Sequence, residues 1–290
     1  MVVTLRRALR RGLERVARRL PPRPGLHMFC WHEIGYGHPA IDDRLVVSPE
    51  QFAEEITWIR ERFRIVSCGD AAGHLDRGVP REPLAVLTFD DGFLGVSDFA
   101  AARLGDVPYT LFVNSACING AVAWKQKAVW LLRQPALRAA HRAFLLDLKA
   151  NFSMESLDAL ERLWRDAAGR VMPYLYLYPR TLAALPPNAT LGNHTASHWI
   201  LSRIPPAEVE REIANCETFL RGLGRPLSPW LAIPHGERHH MPRDCHGYRP
   251  LLGVEGPHRP GEKSWIGKRI VCSTRRPAWL ATMLAGWRRR

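Results

Sequence analysis

Apolar residues along the chain repeat with two different periods, and the alternation between them predicts the architecture. From Leu5 to Leu20 they stand at 5, 9, 13, 16 and 20, with Arg on the other faces. That spacing predicts a basic amphipathic helix within residues 1–24, ended by Pro21-Pro-Arg-Pro24 as a linker. Leu26-His-Met-Phe-Cys-Trp-His32 predicts the first core strand, and His32 at its end either lines a site or packs as a strand-end histidine. Ser48-Pro49-Glu-Gln51 opens a helix: Ser48 can cap, Pro49 suits the first helical position and Gln51 completes a capping box. Phe52, Ile56, Ile59 and Phe63 form its buried stripe. Arg64-Ile-Val-Ser67, Leu84-Ala-Val-Leu-Thr-Phe89 and Tyr109-Thr-Leu-Phe-Val113 then read as strands. Strands alternating with helices predict parallel βα units and an α/β fold.

Residues 121–180 break that rhythm with three amphipathic stretches, Trp124 to Leu132, Ala136 to Ala150 and Ser156 to Gly169. They predict three successive amphipathic helices added to the βα rhythm. Tyr174, Tyr176 and Tyr178 could stack on the rings of a ligand or form an alternating aromatic strand. Pro206 to Leu223 is a helix with Val209, Ile213, Cys216 and Leu220 inward, terminated by Gly222 and Gly224. Ser228 to Ile233 is a strand running into Pro234-His235-Gly236. A loop rich in His, Pro and Arg follows at 237–250, then a final strand within Ser264 to Ser273. The main domain is thus expected at 25–275. A C-terminal helix with a basic end follows at 276–290.

Composition narrows the class. With 290 residues and 46% hydrophobic content, the chain can bury the core of one large domain. No apolar run reaches the roughly 18–20 residues of a transmembrane helix. No apolar stretch follows the basic start, so no secretory signal is expected. The six Cys show no CxxC pairing and read as a reduced, cytosolic set. Net charge is +13, of which residues 1–24, with eight Arg and one Glu, contribute +7. The charge suits nucleic acid, but no recognition motif appears and none is expected as partner. The basic helix reads as a membrane-surface element, at roughly 1 kcal/mol per basic residue, or as a solvated helix packed on the domain. The expected location is cytoplasmic, with peripheral membrane contact through this helix.

The candidate chemistry lies at strand ends. Leu84 to Phe89 runs straight into Asp90-Asp91-Gly92, and in α/β folds active sites gather at that end of the strands. Adjacent carboxylates repel unless they do different work. One can face a metal and the other a substrate water if Gly92 lets the backbone bend; the plainer alternative is an Asp-Gly turn. About a hundred residues on, His194-Thr-Ala-Ser-His198 places two imidazoles at i and i+4, one face of a helical turn and a metal-ligating spacing.

Thr88-Phe-Asp-Asp-Gly92 and His194-Thr-Ala-Ser-His198 resemble the first two motifs of the polysaccharide deacetylases with a NodB-homology domain (carbohydrate esterase family 4), exopolysaccharide type. The resemblance implies a distorted parallel (β/α) barrel with a helical insertion at about 121–180, either a wall of the substrate groove or a flap over apolar barrel surface, and a metal-dependent hydrolase removing N-acetyl groups from a sugar of a polysaccharide or glycolipid precursor. It implies Asp90 as catalytic base, and Asp91, His194 and His198 as ligands of a divalent metal, usually zinc. Pro234-His235-Gly236 resembles the third motif, making the His235 backbone N–H the oxyanion donor. Two positions depart from the pattern. Ala232 replaces an Arg that pairs with the base, leaving Arg238, Arg243 or nothing for that task. The final strand lacks the His that serves as general acid, with His239, His240, His246 and His258 as candidates. The alternatives are a non-catalytic glycan-binding module retaining the metal site, or a hydrolase of another C–N bond. The expected substrate is an acetylated saccharide or lipid-linked sugar.

Overall fold

The computed structural model describes residues 12–168, 174–253 and 256–287. Leu5, Leu9 and the terminal arginines 288–290 lie outside them. The strands are β1 (Gly25–Trp31), β2 (Glu33–Ile34), β3 (Val46–Val47), β4 (Arg64–Ile65), β5 (Pro83–Phe89), β6 (Tyr109–Val113), β7 (Ala189–Asn193), β8 (Leu227–Ala232), β9 (Arg249–Leu252) and β10 (Gly267–Val271). The helices are α1 (residues 12–19), α2 (Pro49–Arg62), α3 (Cys68–Arg77), α4 (Ala101–Leu104), α5 (Ser115–Ile118), α6 (Trp124–Arg133), α7 (Pro135–Asp147), α8 (Met154–Ala168), α9 (Pro179–Ala183), α10 (Pro206–Gly222) and α11 (Ala278–Trp287).

Every pairing in the main sheet is parallel, and β1 pairs with β5 from Gly25↔Pro83 to Trp31↔Phe89. The order β5-β6-β7-β8-β9-β10-β1 therefore closes seven strands into a barrel, the α/β barrel that the motifs imply. β4 lies beside the first half of β5 on the edge whose second half pairs with β6.

Period-2 alternation divides the apolar residues into two cores. Leu26, Met28, Leu84, Val86, Phe112, Trp230, Ala232 and Leu251 cluster together, sealed by Val66, Cys68, Ala71 and Leu75 around α3. Their neighbours Phe29, Trp31, Leu87, Phe89, Leu111 and Leu191 pack outward on Phe52, Ile56 and Ile59 of α2. Gly192 leaves room for the interior: a Cβ there would stand 2.3 Å from the Phe112 ring.

Helices α6–α8 build a third core. Trp124, Leu131, Leu145, Phe152 and Leu160 pack with Ile200, Ile204, Leu231, Ile233 and Leu252. The insertion thus shares apolar surface with β8, β9 and the segment after His198. At the N-terminus, Ala17 of α1 is buried, and the Trp58 Nε1–H donates to the Arg18 carbonyl at 3.1 Å. The Arg18 guanidinium lies 4.2 Å from the Trp279 ring.

Candidate active site

On β5 the residues Leu84, Val86 and Thr88 face inward, and Asp90 follows in phase. The Asp90 N–H donates to the Trp31 carbonyl at 2.9 Å, carrying the ladder one residue beyond the strand. The chain then turns abruptly: Asp91 has φ 70° and Gly92 φ 72°. A left-handed Asp is uncommon and costs energy. Here it returns the second carboxylate to the side of the first, so the bend expected at Gly92 begins at Asp91 itself. Both carboxylates are buried.

His194 and His198 meet, but no helical turn brings them together. Residues 194–198 form an irregular loop in which Thr195 (φ 68°) and His198 (φ 59°) are left-handed. The expectation of one helical face is corrected by this geometry. Side chains hold the loop instead. The Asn114 amide donates to the carbonyls of His194 and Thr195. The Thr195 N–H donates to Asn193 Oδ1 at 2.8 Å, and the Ser197 N–H to Glu212 Oε2 at 2.7 Å. From the insertion, Trp124 Nε1–H donates to the His198 carbonyl at 2.9 Å.

The resulting donor set fits a metal. Nε2 of His194 and Nε2 of His198 each lie 3.4 Å from Asp91 Oδ1, and one ligand atom from each of the three residues falls within 4.8 Å of the others. Ligands about 2.0–2.1 Å from a tetrahedral ion stand roughly 3.3 Å apart. Asp91 Oδ1 is buried and accepts no hydrogen bond among the described residues. His194 Nδ1 lies 2.7 Å from the Ala232 carbonyl, which can only accept, so the ring proton sits there and Nε2 keeps its lone pair for the cluster. Burial pushes His198 down to about 3, keeping it neutral. Burial would lower His194 too, but the Asp90 and Asp91 charges outweigh it and raise it.

Asp90 is held by Arg269, not by Arg238 or Arg243. The Arg269 guanidinium donates to both carboxylate oxygens at 2.6 and 2.7 Å from β10, and both residues are buried. Burial alone would raise the Asp90 pKa, but the Arg269 charge and hydrogen bonds, together with His194 and His32, reverse this and keep the carboxylate ionised. The cation missing at Ala232 is therefore supplied from another strand. Period-2 alternation along Gly267-Lys-Arg-Ile-Val271 places Val271 beside it in the cleft, on the strand that lacks the general-acid His.

The cleft also presents His32, Lys125, Lys149 and His235. His235 is left-handed (φ 66°), and its N–H donates to no described residue. Gly236 meets Gly253 so closely that a Cβ would fall 2.6 Å from the Gly253 backbone, which fixes this turn. The His235 ring packs between His198 and His240, with centroids 4.8 and 5.5 Å away. Burial lowers His235 far below its ordinary range and holds His240 at about 4. The other histidines offered as acids lie apart. His258 pairs with Leu26 at the opposite end of the barrel, and His246 is exposed. His239 stands over Glu237 at 3.5 Å. Tyr174 and Tyr178 stack on each other at 4.1 Å outside the cleft, and Tyr176 is buried against Phe93.

No family model and no curated protein matches this sequence. Solved structures do match in shape. The Streptococcus pyogenes deacetylase PplD in complex with acetate superposes with TM-score 0.58 at 14% identity, covering 87% of this chain and 93% of that one. The fold is that of the polysaccharide deacetylases. IcaB from Ammonifex degensii gives TM-score 0.56 at 18% identity over 92% of this chain and 98% of its own. The deacetylase domain of BpsB from Bordetella bronchiseptica gives 0.56 at 13% over 88% and 98%. At these identities the likeness is one of fold, and the chemistry must be read from the side chains.

Proposed function

We propose that the protein is a metal-dependent hydrolase removing N-acetyl groups from a sugar of a polysaccharide or glycolipid precursor. One observation carries this reading: a buried Asp91–His194–His198 donor set stands beside an Arg269-held carboxylate, at the strand ends of a deacetylase-type barrel. Asp91 Oδ1 and the two Nε2 atoms would hold the ion, and their N/O character suits zinc. Such an ion, when bound, supplies an acidified water and polarises a carbonyl. Arg269 takes one lone pair on each Asp90 oxygen and leaves another free, so Asp90 can accept a proton from the attacking water. The His235 N–H donates to the acetamide oxygen as charge gathers there. The amide C–N bond then breaks, acetate leaves with the new oxygen, and the proton held on Asp90 is available to the departing amine.

The test is acetate release from N-acetylated oligosaccharides and lipid-linked sugars, after chelation and after zinc is restored. Zinc-dependent release is expected. Full release by Asp91→Ala would refute the metal assignment, and no release from zinc-loaded protein would favour a glycan-binding module. That rival rests on the absent cation at Ala232 and on the missing general-acid His; Arg269 answers the first of these.

We further infer that the protein works at the cytoplasmic face of an anionic membrane, on a lipid-linked or nascent saccharide. α1 and the residue after it turn Leu13, Val16 and Leu20 to solvent at 42, 54 and 45% exposure, flanked by exposed Arg15, Arg18 and Arg19. The six unpaired cysteines suit a reducing compartment. Pelleting with anionic vesicles should fall in Leu13→Ser/Val16→Ser; equal pelleting would exclude α1 as the contact.

A further inference from the structure

The insertion brings two ammonium groups to the cleft, Lys125 on the first turn of α6 and Lys149 just past α7. Both line the same space as Asp90, Asp91, His194 and His198. Two other cations of the insertion are spent on structure. Lys127 pairs with Glu161, and Arg133 binds Asp43 together with the carbonyls of His38 and Ile41. Lys125 has no ion-pair partner among the described residues. Its desolvation lowers its pKa, which marks a cation held at a cost. Lys149 reaches across to Glu237, on the loop after β8, at 2.7 Å. Both side chains of that pair are substantially exposed, so the bridge is weak and can open. The two carboxylates within the cleft are already engaged, Asp90 by Arg269 and Asp91 toward the two imidazoles. The cleft therefore holds three cations, Lys125, Lys149 and Arg269, against two carboxylates.

We propose that Lys125 and Lys149 form an anion subsite beside the metal donors, and that the substrate is an acetamido sugar carrying an oxyanion, phosphate or carboxylate, next to the reacting group. This rests on the deacetylase reading of the same cleft. The insertion then acts as a specificity element: it leaves the hydrolytic residues on the barrel and adds the charge that selects the sugar.

The experiment is calorimetric binding to zinc-loaded protein of three probes. These are N-acetylglucosamine, its 1-phosphate, and a disaccharide joining it to glucuronic acid. At least one anionic probe should bind about tenfold tighter than the neutral sugar, as expected for two partly exposed charge contacts. A preference for the phosphate alone or for the carboxylate alone supports the subsite and names the source of the oxyanion. Lys125→Met/Lys149→Ser should erase the preference. If the double variant does not fold, Lys149→Ser alone, at the exposed rim, should reduce it severalfold. Equal binding of neutral and anionic probes by the wild type would overturn the proposal. So would a preference surviving the substitutions, because the anion would then sit on the metal. Acetate release is measured in parallel, so loss of the deacetylase reading is distinguished from loss of the subsite, which is read without turnover.

Discussion

The two ends of the barrel both bury imidazoles, and His258 at one end and the donor cluster at the other are held in opposite ways. At the N-terminal end of the strands, His258 is matched on all sides. Its Nδ1 meets Glu262 at 2.9 Å, its Nε2 accepts the Lys268 N–H at 3.0 Å, and its backbone pairs with Leu26 in both directions. At the C-terminal end, Asp91 Oδ1, His32 Nδ1, His198 Nδ1 and His235 Nε2 have no hydrogen-bond partner among the described residues. Four of the five left-handed non-glycine residues described, Asp91, Thr195, His198 and His235, gather there too. A satisfied network stabilises a fold. An unsatisfied and strained one persists only where something else repays it. Single unmatched atoms such as His27 Nδ1 and Tyr109 OH also occur toward the other end, so what marks the site is the clustering of unmatched donors with left-handed backbone.

Substitutions can break this contrast. Asp90→Asn should lower kcat for acetate release by on the order of 10²–10⁴, with the protein still folded and binding zinc. Activity near wild type would remove Asp90 from the chemistry. Arg269→Met leaves Asp90 buried and unpaired and should cost roughly 3–5 kcal/mol in urea unfolding. Adding Asp90→Asn should recover part of that loss, and strict additivity would deny the coupling. Trp124→Phe keeps the apolar packing but removes the donor to the His198 carbonyl. A loss of about 10–100-fold in zinc affinity by competition with a chelator is expected.

Glu55 tests whether burial without function behaves differently. Its carboxyl is pushed up to about 8 by burial, against the hydrogen bonds that Gln51 and Trp31 donate to it. An acid with a raised folded-state pKa holds its proton longer when folded, so its contribution is full below the unfolded value of about 4.5 and fades as pH climbs through 8. Stability should fall by up to about 1.4 kcal/mol per pH unit across that window. Glu55→Gln should flatten the curve; an unchanged slope would show that Glu55 does not cause it. The smallest effect belongs to the matched end: Glu262→Gln should cost about 1 kcal/mol and leave acetate release intact. A large activity loss would dissolve the distinction between the ends.

What the sequence revealed follows the range of the interactions. Leu84 to Gly92 was readable because strand, carboxylates and turn are contiguous. His194 and His198 were readable as a pair, but their geometry was not, since a spacing of four suits a helix and two left-handed residues equally well. Ser48 caps Gln51 as its position suggests, yet the Gln51 side chain turns to Glu55 and the Ser273 carbonyl, a tertiary preference no local pattern encodes. Arg269 escaped notice because barrel closure sets its partner. Its one local trace is a lone cation in an otherwise inward-facing strand position. Lys125 and Lys149 were hidden among the many basic residues of the insertion, where only their place in the cleft singles them out.

Arg269 and Asp90 are 179 residues apart, and the strand carrying Arg269 is also the one that completes the ring between β9 and β1. During synthesis, the metal donors up to His198 emerge well before that strand does. Until β10 docks, Asp90 lacks the guanidinium that pairs with it, and closing the barrel without Arg269 would bury that charge unpaired. The order of assembly follows: the chain can gather its metal ligands early, but the last strand decides when the carboxylate beside them is fixed for use.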